Sequence, residues 1–297
     1  MIRLLPILLL ICLLAACRGS LPAAPTETNA PATAAPSRTP TASATPTPAE
    51  KDGPGSSLDG ADCLQASSEE AVYEIESAHI EGGARVRVYT PPCYDEQPQR
   101  SYPVLYFLHG QSYNDDQWDR IGADEAADAL IASGEVAPFL IVMPYYPSSR
   151  QPVDNPFDAA FIEEVIPWVE ANFRVLAERE ARAVGGLSMG GSWAIHFGLT
   201  RPDLFSAFGG HSPPVFVSEA SDVDEWLAAI PDDLMPRIWL DIGDRDQAAI
   251  LASVTWFEEL LTEMGIEHEW HLFAGRHEEA YWSAHVAEYL RWYAQGW

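Results

Sequence analysis

Positive charge is scarce in this chain of 297 residues: 17 Lys and Arg stand against 44 Asp and Glu, a formal net charge of −27. The acidic residues are spread rather than clustered, and no basic stripe exists to neutralise phosphates. Nucleic acid is therefore excluded as a partner. Any role that depends on adhesion of a basic surface to anionic lipid is excluded with it. Cysteine is sparse too, at four residues, and these are too isolated to suggest a metal site; no metal or organic cofactor is expected. No internal repeat is visible, which removes solenoids and propellers. The one long apolar run, Leu4 to Leu14, is too short to span a bilayer as a helix of the mature protein.

That run reads as an address. Arg3 supplies a positive n-region, Leu4 to Leu14 the apolar segment, and Ala15-Ala16 the small residues before Cys17, as in a secretory signal. The sequence Leu14-Ala15-Ala16-Cys17 resembles the lipobox of bacterial lipoproteins, in which the cysteine is acylated and becomes the new N-terminus. The resemblance implies export and anchoring to the bacterial cell membrane through lipid on Cys17, with residues 1–17 as the signal. From Arg18 to about Ser57 the chain is almost entirely Pro, Thr, Ala and Ser. Nothing there can offset the entropy of ordering, so residues 18–58 read as a disordered, partly polyproline tether. Residues 59–297 suit one domain.

Within that domain, Val72 to Ile80 and Ala84 to Tyr89 alternate around Glu81-Gly82-Gly83, a hairpin signal. Short continuous apolar runs follow at Tyr102 to Leu108, Phe139 to Met143, Ala181 to Leu187 and Arg237 to Ile242, with weaker ones at Phe205 to Gly209 and Glu269 to Phe273. Helix-like stretches separate them: Asp124 to Ile131, Phe157 to Asn172, Met189 to Leu199, Ala248 to Met264 and Glu278 to Tyr293. Buried strands alternating with helices predict an α/β fold, with a mostly parallel central sheet and helices on both faces.

Chemistry in such sheets collects at the carboxyl ends of the strands. Gly186-Leu187-Ser188-Met189-Gly190 places a serine in G-x-S-x-G between an apolar run and a helix-like one, the context of a nucleophile elbow. Alone the pattern is weak, because ordinary glycine usage of about 7% supplies it by chance. Other strand ends add to it. His109-Gly110-Gln111-Ser112 follows one run, Asp241-Ile242-Gly243-Asp244-Arg245-Asp246 another, and Gly275-Arg276-His277-Glu278 a third. Serine, then acid, then histidine is the chain order of α/β-hydrolases.

The series Pro91-Pro92, Tyr94-Asp95, Tyr102 to Gly110, Ile166 to Arg174, Gly186 to Gly191, Arg201 to Phe205, Gly243 to Asp246 and His277 resembles an esterase family of α/β-hydrolases. That family includes feruloyl esterases, S-formylglutathione hydrolases and mycobacterial mycolyltransferases. The resemblance runs from about Ile75 to the C-terminus and implies the α/β-hydrolase fold. It implies a serine carboxylic ester hydrolase acting on a small-molecule or polysaccharide-linked ester, and the signal segment puts that work outside the cytoplasm. Ser188 is then the nucleophile and His277 the base. Asp241, Asp244 and Asp246 compete for the third place, and Asp246 matches the family's position. The backbone N–H groups of Gln111 and Met189 are the expected oxyanion donors.

Two alternatives stand beside this reading: acyl transfer to an alcohol, and a catalytically idle envelope binding protein that kept the fold. His109 is expected to brace its loop, and His211 is a candidate for touching substrate. His79, His196, His268, His271 and His285 lack any constellation and are expected at the surface or in packing. Trp118 and Trp282 are candidates for an acyl-pocket wall or the core. The chain departs from the family at Gln111, Ser112 and Cys93, where glycines are usual, and at Arg276 and Glu278 beside the histidine.

Cys12 leaves with the signal and Cys17 carries lipid, so Cys63 and Cys93 remain in an oxidising compartment that favours a disulfide. Peptide mapping of the exported protein under non-reducing conditions is expected to recover these two cysteines linked. Two alkylatable thiols at these positions would rule the bridge out. Its removal should lower stability by about 2–4 kcal/mol.

Overall fold

The computed structural model describes residues 68–146 and 151–297. The signal with Cys17, the tether and Cys63 lie outside the described residues. Among these, no helix is long and apolar enough to cross a membrane.

The strands are β1 (Glu69–Ile75), β2 (Ala84–Thr90), β3 (Val104–Leu108), β4 (Leu140–Pro144), β5 (Arg182–Leu187), β6 (Ala207–His211), β7 (Arg237–Gly243) and β8 (Glu269–Phe273). They form one eight-stranded sheet in the order β1-β2-β4-β3-β5-β6-β7-β8. β1 and β2 join antiparallel and every pair from β4 to β8 is parallel. The helices are α1 (Gln117–Arg120), α2 (Ala123–Ser133), α3 (Phe157–Ala160), α4 (Ile166–Asn172), α5 (Met189–Thr200), α6 (Val223–Ala229), α7 (Ala248–Met264) and α8 (Glu279–Tyr293). This is the mostly parallel sheet expected from the alternation of the sequence.

The two-residue period of the strands divides the core. Val104, Tyr106 and Leu108 of β3, with Leu140 and Val142 of β4, face a cluster that includes Phe161, Val169, Trp193 and Phe257. Leu105, Phe107, Ile141 and Met143 face the other side, against Ile131 of α2 and Tyr289 and Leu290 of α8. Both faces are covered, so these strands are apolar at every position. At the sheet's middle, Gly185 and Gly209 are register partners. A Cβ on either would fall 2.0 Å from the Tyr293 hydroxyl, so the two glycines open a slot that lets a tyrosine from α8 reach into the sheet.

Three expectations are corrected. β1 stops at Ile75, and the connection to β2 is a longer loop than Glu81-Gly82-Gly83 alone. Glu164 pulls that loop off the sheet: it accepts the Ala78 N–H at 2.7 Å and bonds the Ser77 hydroxyl, whose oxygen in turn accepts the Ile80 N–H at 2.8 Å. The stretch from Phe157 to Asn172 is broken into α3, a π-helical turn at Phe161–Val165 and α4, a local widening of the helix. α1 and α6 were not anticipated; with 4 and 7 residues they are too short for a periodic pattern to stand out.

α5 is buried from Met189 to Leu199, and the His196 side chain is enclosed with it. The sequence places His196 at the surface or in packing, and it is packed. Its Nδ1 lies 2.7 Å from Glu219 and its Nε2 3.3 Å from Asp158. Burial would push this imidazole down, but the two carboxylates raise its pKa to about 9. A raised pKa stabilises the fold fully below the ordinary value of 6.5 and loses that contribution as pH climbs through 9. Denaturant titrations at pH 6 and pH 9.5 are therefore expected to show the parent losing up to about 3 kcal/mol more than His196→Gln over that interval. Equal losses in the two proteins would contradict the assignment.

Candidate active site

Ser188 stands between β5 and α5 with φ +53° and ψ −120°, a conformation that L residues avoid and that marks strain at functional turns. Two glycines make the turn feasible. A Cβ on Gly186 would meet the Gly190 carbonyl carbon at 2.2 Å, and one on Gly190 the Leu108 oxygen at 2.1 Å. The strain is held by the Ser188 N–H, which donates to the His211 carbonyl at 2.8 Å.

The hydroxyl raised on this turn meets the loop after β8. Ser188 Oγ is 2.8 Å from His277 Nε2. His277 Nδ1 lies 2.9 Å from Asp246 Oδ1 and 3.1 Å from Oδ2, so the carboxylate faces the Nδ1–H with both oxygens. The Asp246 side chain is wholly shielded from solvent and that of His277 is 15% exposed. Of the three competing aspartates, the structure brings Asp246 to the histidine. Asp244 instead accepts the Gly275 N–H at 2.9 Å, and that bond holds its carboxyl below the usual range. Asp244 thus pins the histidine's loop without touching its ring. Asp241 lies within β7, fully buried.

The backbone beside the hydroxyl offers donors. Neither the Gln111 nor the Met189 N–H has an acceptor among the described residues, and both residues line the same cleft as Ser188 and His277. Gln111 is placed by its neighbours. The Gly110 N–H donates to the buried Gln117 Oε1 at 2.8 Å. His109 Nδ1 lies 2.8 Å from the Gly110 oxygen, while its Nε2 accepts the Tyr146 N–H at 3.2 Å. Burial pushes His109 down to about 4, so its ring is neutral, with Nδ1–H as donor. It braces the loop, as expected. Gln117 went unseen in the sequence, where nothing distinguishes it from a surface glutamine.

The cleft holds about 450 Å³ and is walled by the amides of Gln151 and Gln247 and by Phe216, Ile250 and Trp282, a volume suited to a small ligand. Trp282 stands edge to face with His277, ring centroids 5.0 Å apart. Trp118 is core: it stacks on Phe107 at 3.8 Å and donates to the Leu108 carbonyl. His211 is also removed from substrate space, because its side chain is fully buried against Asp241.

Ser112 and Cys93, which stand where the resemblance implies glycine, adopt φ of +67° and +69°, the left-handed region that favours glycine. The buried Cys93 is disulfide-bonded; Cys63 lies outside the described residues.

Comparison with known proteins gives the family and the fold. A family model described as "Putative esterase" matches residues 77–293. The chain belongs to that family. It is 35% identical over 143 residues to an endo-1,4-beta-xylanase/feruloyl esterase of Xylanibacter ruminicola, a match covering 44% of this chain and 20% of that protein. Esterase Rv1288 of Mycobacterium tuberculosis is 32% identical over 152 residues, 48% of this chain and 32% of its own. The matches thus span only a fifth to a third of these curated relatives. A solved ferulic acid esterase superposes with a TM-score of 0.69 at 22% identity, over 77% of this chain and 98% of that one. The fold is that of the α/β-hydrolase esterases.

The contrast between the two aspartates of the β7 turn is measurable. Asp246→Asn is expected to keep the shape of the site, favour the wrong imidazole tautomer and cut kcat on a short aryl ester by up to about 10⁴. Asp244→Asn should cost far less. The reverse ranking would move the acid to Asp244.

Proposed function

We propose that this chain is an exported serine carboxylic ester hydrolase that works through an acyl-enzyme on Ser188. The observation that carries the reading is the chain of hydrogen bonds from Ser188 Oγ through His277 to a shielded Asp246, set in a cleft beside two backbone donors that have no acceptor among the described residues. His277 Nε2 takes the hydroxyl proton as Oγ attacks the ester carbonyl carbon. The oxygen that gains the negative charge is received by the Gln111 and Met189 N–H groups. The bond from carbon to the alcohol oxygen then breaks, and the proton on His277 passes to the departing alcohol. Water enters, gives a proton to His277 and attacks the acyl carbon; the proton returns to Oγ as the acid leaves. Asp246 holds the imidazole in place and stabilises the imidazolium.

Support for the ester class comes from family membership and from the relatives named as esterases and feruloyl esterases. A cleft that combines amides with an aromatic and aliphatic wall suits an ester with an apolar acyl part and a polar alcohol, whether a small molecule or linked to a polysaccharide. The signal and lipobox support a domain held outside the cytoplasm by lipid on Cys17, at the end of a tether.

Ser188→Ala is expected to abolish hydrolysis of a short aryl ester, by several orders of magnitude, with circular dichroism unchanged. A fluorophosphonate should label the parent at Ser188 alone. Activity within tenfold of the parent in the folded variant would sink the proposal. Products analysed with an added alcohol separate hydrolysis from acyl transfer.

A further inference from the structure

Beneath the cleft, at the ends of β6 and β7, lies a second imidazole and carboxylate pair. His211 and Asp241 are both fully buried, and neither lines the cleft. The His211 Nδ1–H donates to Asp241 Oδ2 at 2.6 Å, and the Trp239 indole N–H donates to the same oxygen at 2.9 Å. The Tyr281 and Tyr289 hydroxyls donate to Oδ1 at 2.6 and 2.9 Å. Burial alone would raise this carboxyl, yet His211 and the surrounding donors hold it below the usual carboxylate range. His211 Nε2 meets the Tyr293 hydroxyl at 3.0 Å, the group admitted by the Gly185 and Gly209 slot.

A buried ionic cluster is seldom the most stable filling for a core, and apolar replacements often match it. What it does offer is fixed geometry, and its ends reach both sides of the site. On one side, the His211 carbonyl accepts the Ser188 N–H, and the Asp241 carbonyl accepts the Ser212 N–H at 2.7 Å. On the other, Tyr281 belongs to α8, the helix that begins two residues after His277. Its ring fills the space where a Cβ on Gly275 would sit, 2.3 Å away, and the next residue, Trp282, packs on the His277 ring.

We propose that Asp241 and His211 are positioning residues that set the distance between Ser188 and His277 from behind, while Asp246 acts on the imidazole directly. The inference rests on the assignment of Ser188 and His277 made above. A displacement of about 1 Å between reacting groups can cost 10²-fold in rate.

The test compares Asp241→Asn, Tyr281→Phe, Tyr289→Phe and Ser188→Ala in the full chain, with kcat and KM measured on a neutral aryl acetate well below each thermal midpoint. Asp241→Asn is expected to lower kcat by about 10- to 100-fold with KM within twofold, and to slow fluorophosphonate labelling in parallel. Tyr281→Phe should reproduce part of that fall and exceed Tyr289→Phe, since Tyr281 also packs against Gly275 of the histidine's loop. A packing role would lower the thermal midpoint and leave kcat of the folded enzyme at the parent value; that result overturns the proposal. Should Asp241→Asn fail to fold, the two tyrosine variants decide, and parental kcat in both overturns it. Parental activity in Ser188→Ala would instead remove the site assignment itself.

Discussion

The turn from β5 into α5 admits no side chain two residues to either side of Ser188, and the site is arranged around that shortage of space. With Gly186 and Gly190 bare, the chain reverses within one residue and forces Ser188 into a left-handed backbone. The hydroxyl is left clear of the sheet, beside the first amides of α5. Strain of this kind costs on the order of 1–3 kcal/mol and persists only where surrounding structure imposes it. Here the imposing structure is β6, whose last carbonyl holds the serine's own N–H. The geometry is stored in the parallel sheet rather than in the loop.

Much of this could be read from residues alone, and the reason is local. Parallel strands covered on both faces must be apolar throughout, so β3, β4, β5 and β7 announce themselves as short continuous runs. Each run ends at the edge where chemistry gathers, so Ser188, the β7 turn and His277 could be nominated in order. What stayed hidden depends on partners distant in sequence. Asp241 meets His211 across 30 residues and Tyr281 across 40, while His211 meets Tyr293 across 82. No spacing rule links such groups. Gln117 is hidden for the same reason, because its task is to hold a backbone amide of a loop that precedes it. The end of β1 was misplaced because Glu164, on another element, competes for the loop's hydrogen bonds.

Two histidines show how burial sorts one residue type into opposite states. His109 lies among carbonyl and amide partners, with no carboxylate in hydrogen-bond contact among the described residues, and it is neutral. His196, equally enclosed, has carboxylates on both ring nitrogens and stays charged. The first shapes a donor loop; the second ties α5 to the residues on either side of it. Sequence context at each gives no hint of the difference, since the carboxylates that decide it come from other elements.

Among the described residues the sheet is open, and its two borders, β1 and β8, each present a row of backbone donors and acceptors with no neighbouring strand. Such borders invite another molecule to continue the sheet. β1 carries Glu69, Glu70 and Glu74, and β8 begins with Glu269. Two copies approaching border to border would bring like charges into register, where directly opposed charges repel. Where copies of the domain are crowded together, the acidity of these borders would work as a spacer, keeping neighbouring sheets from fusing into one.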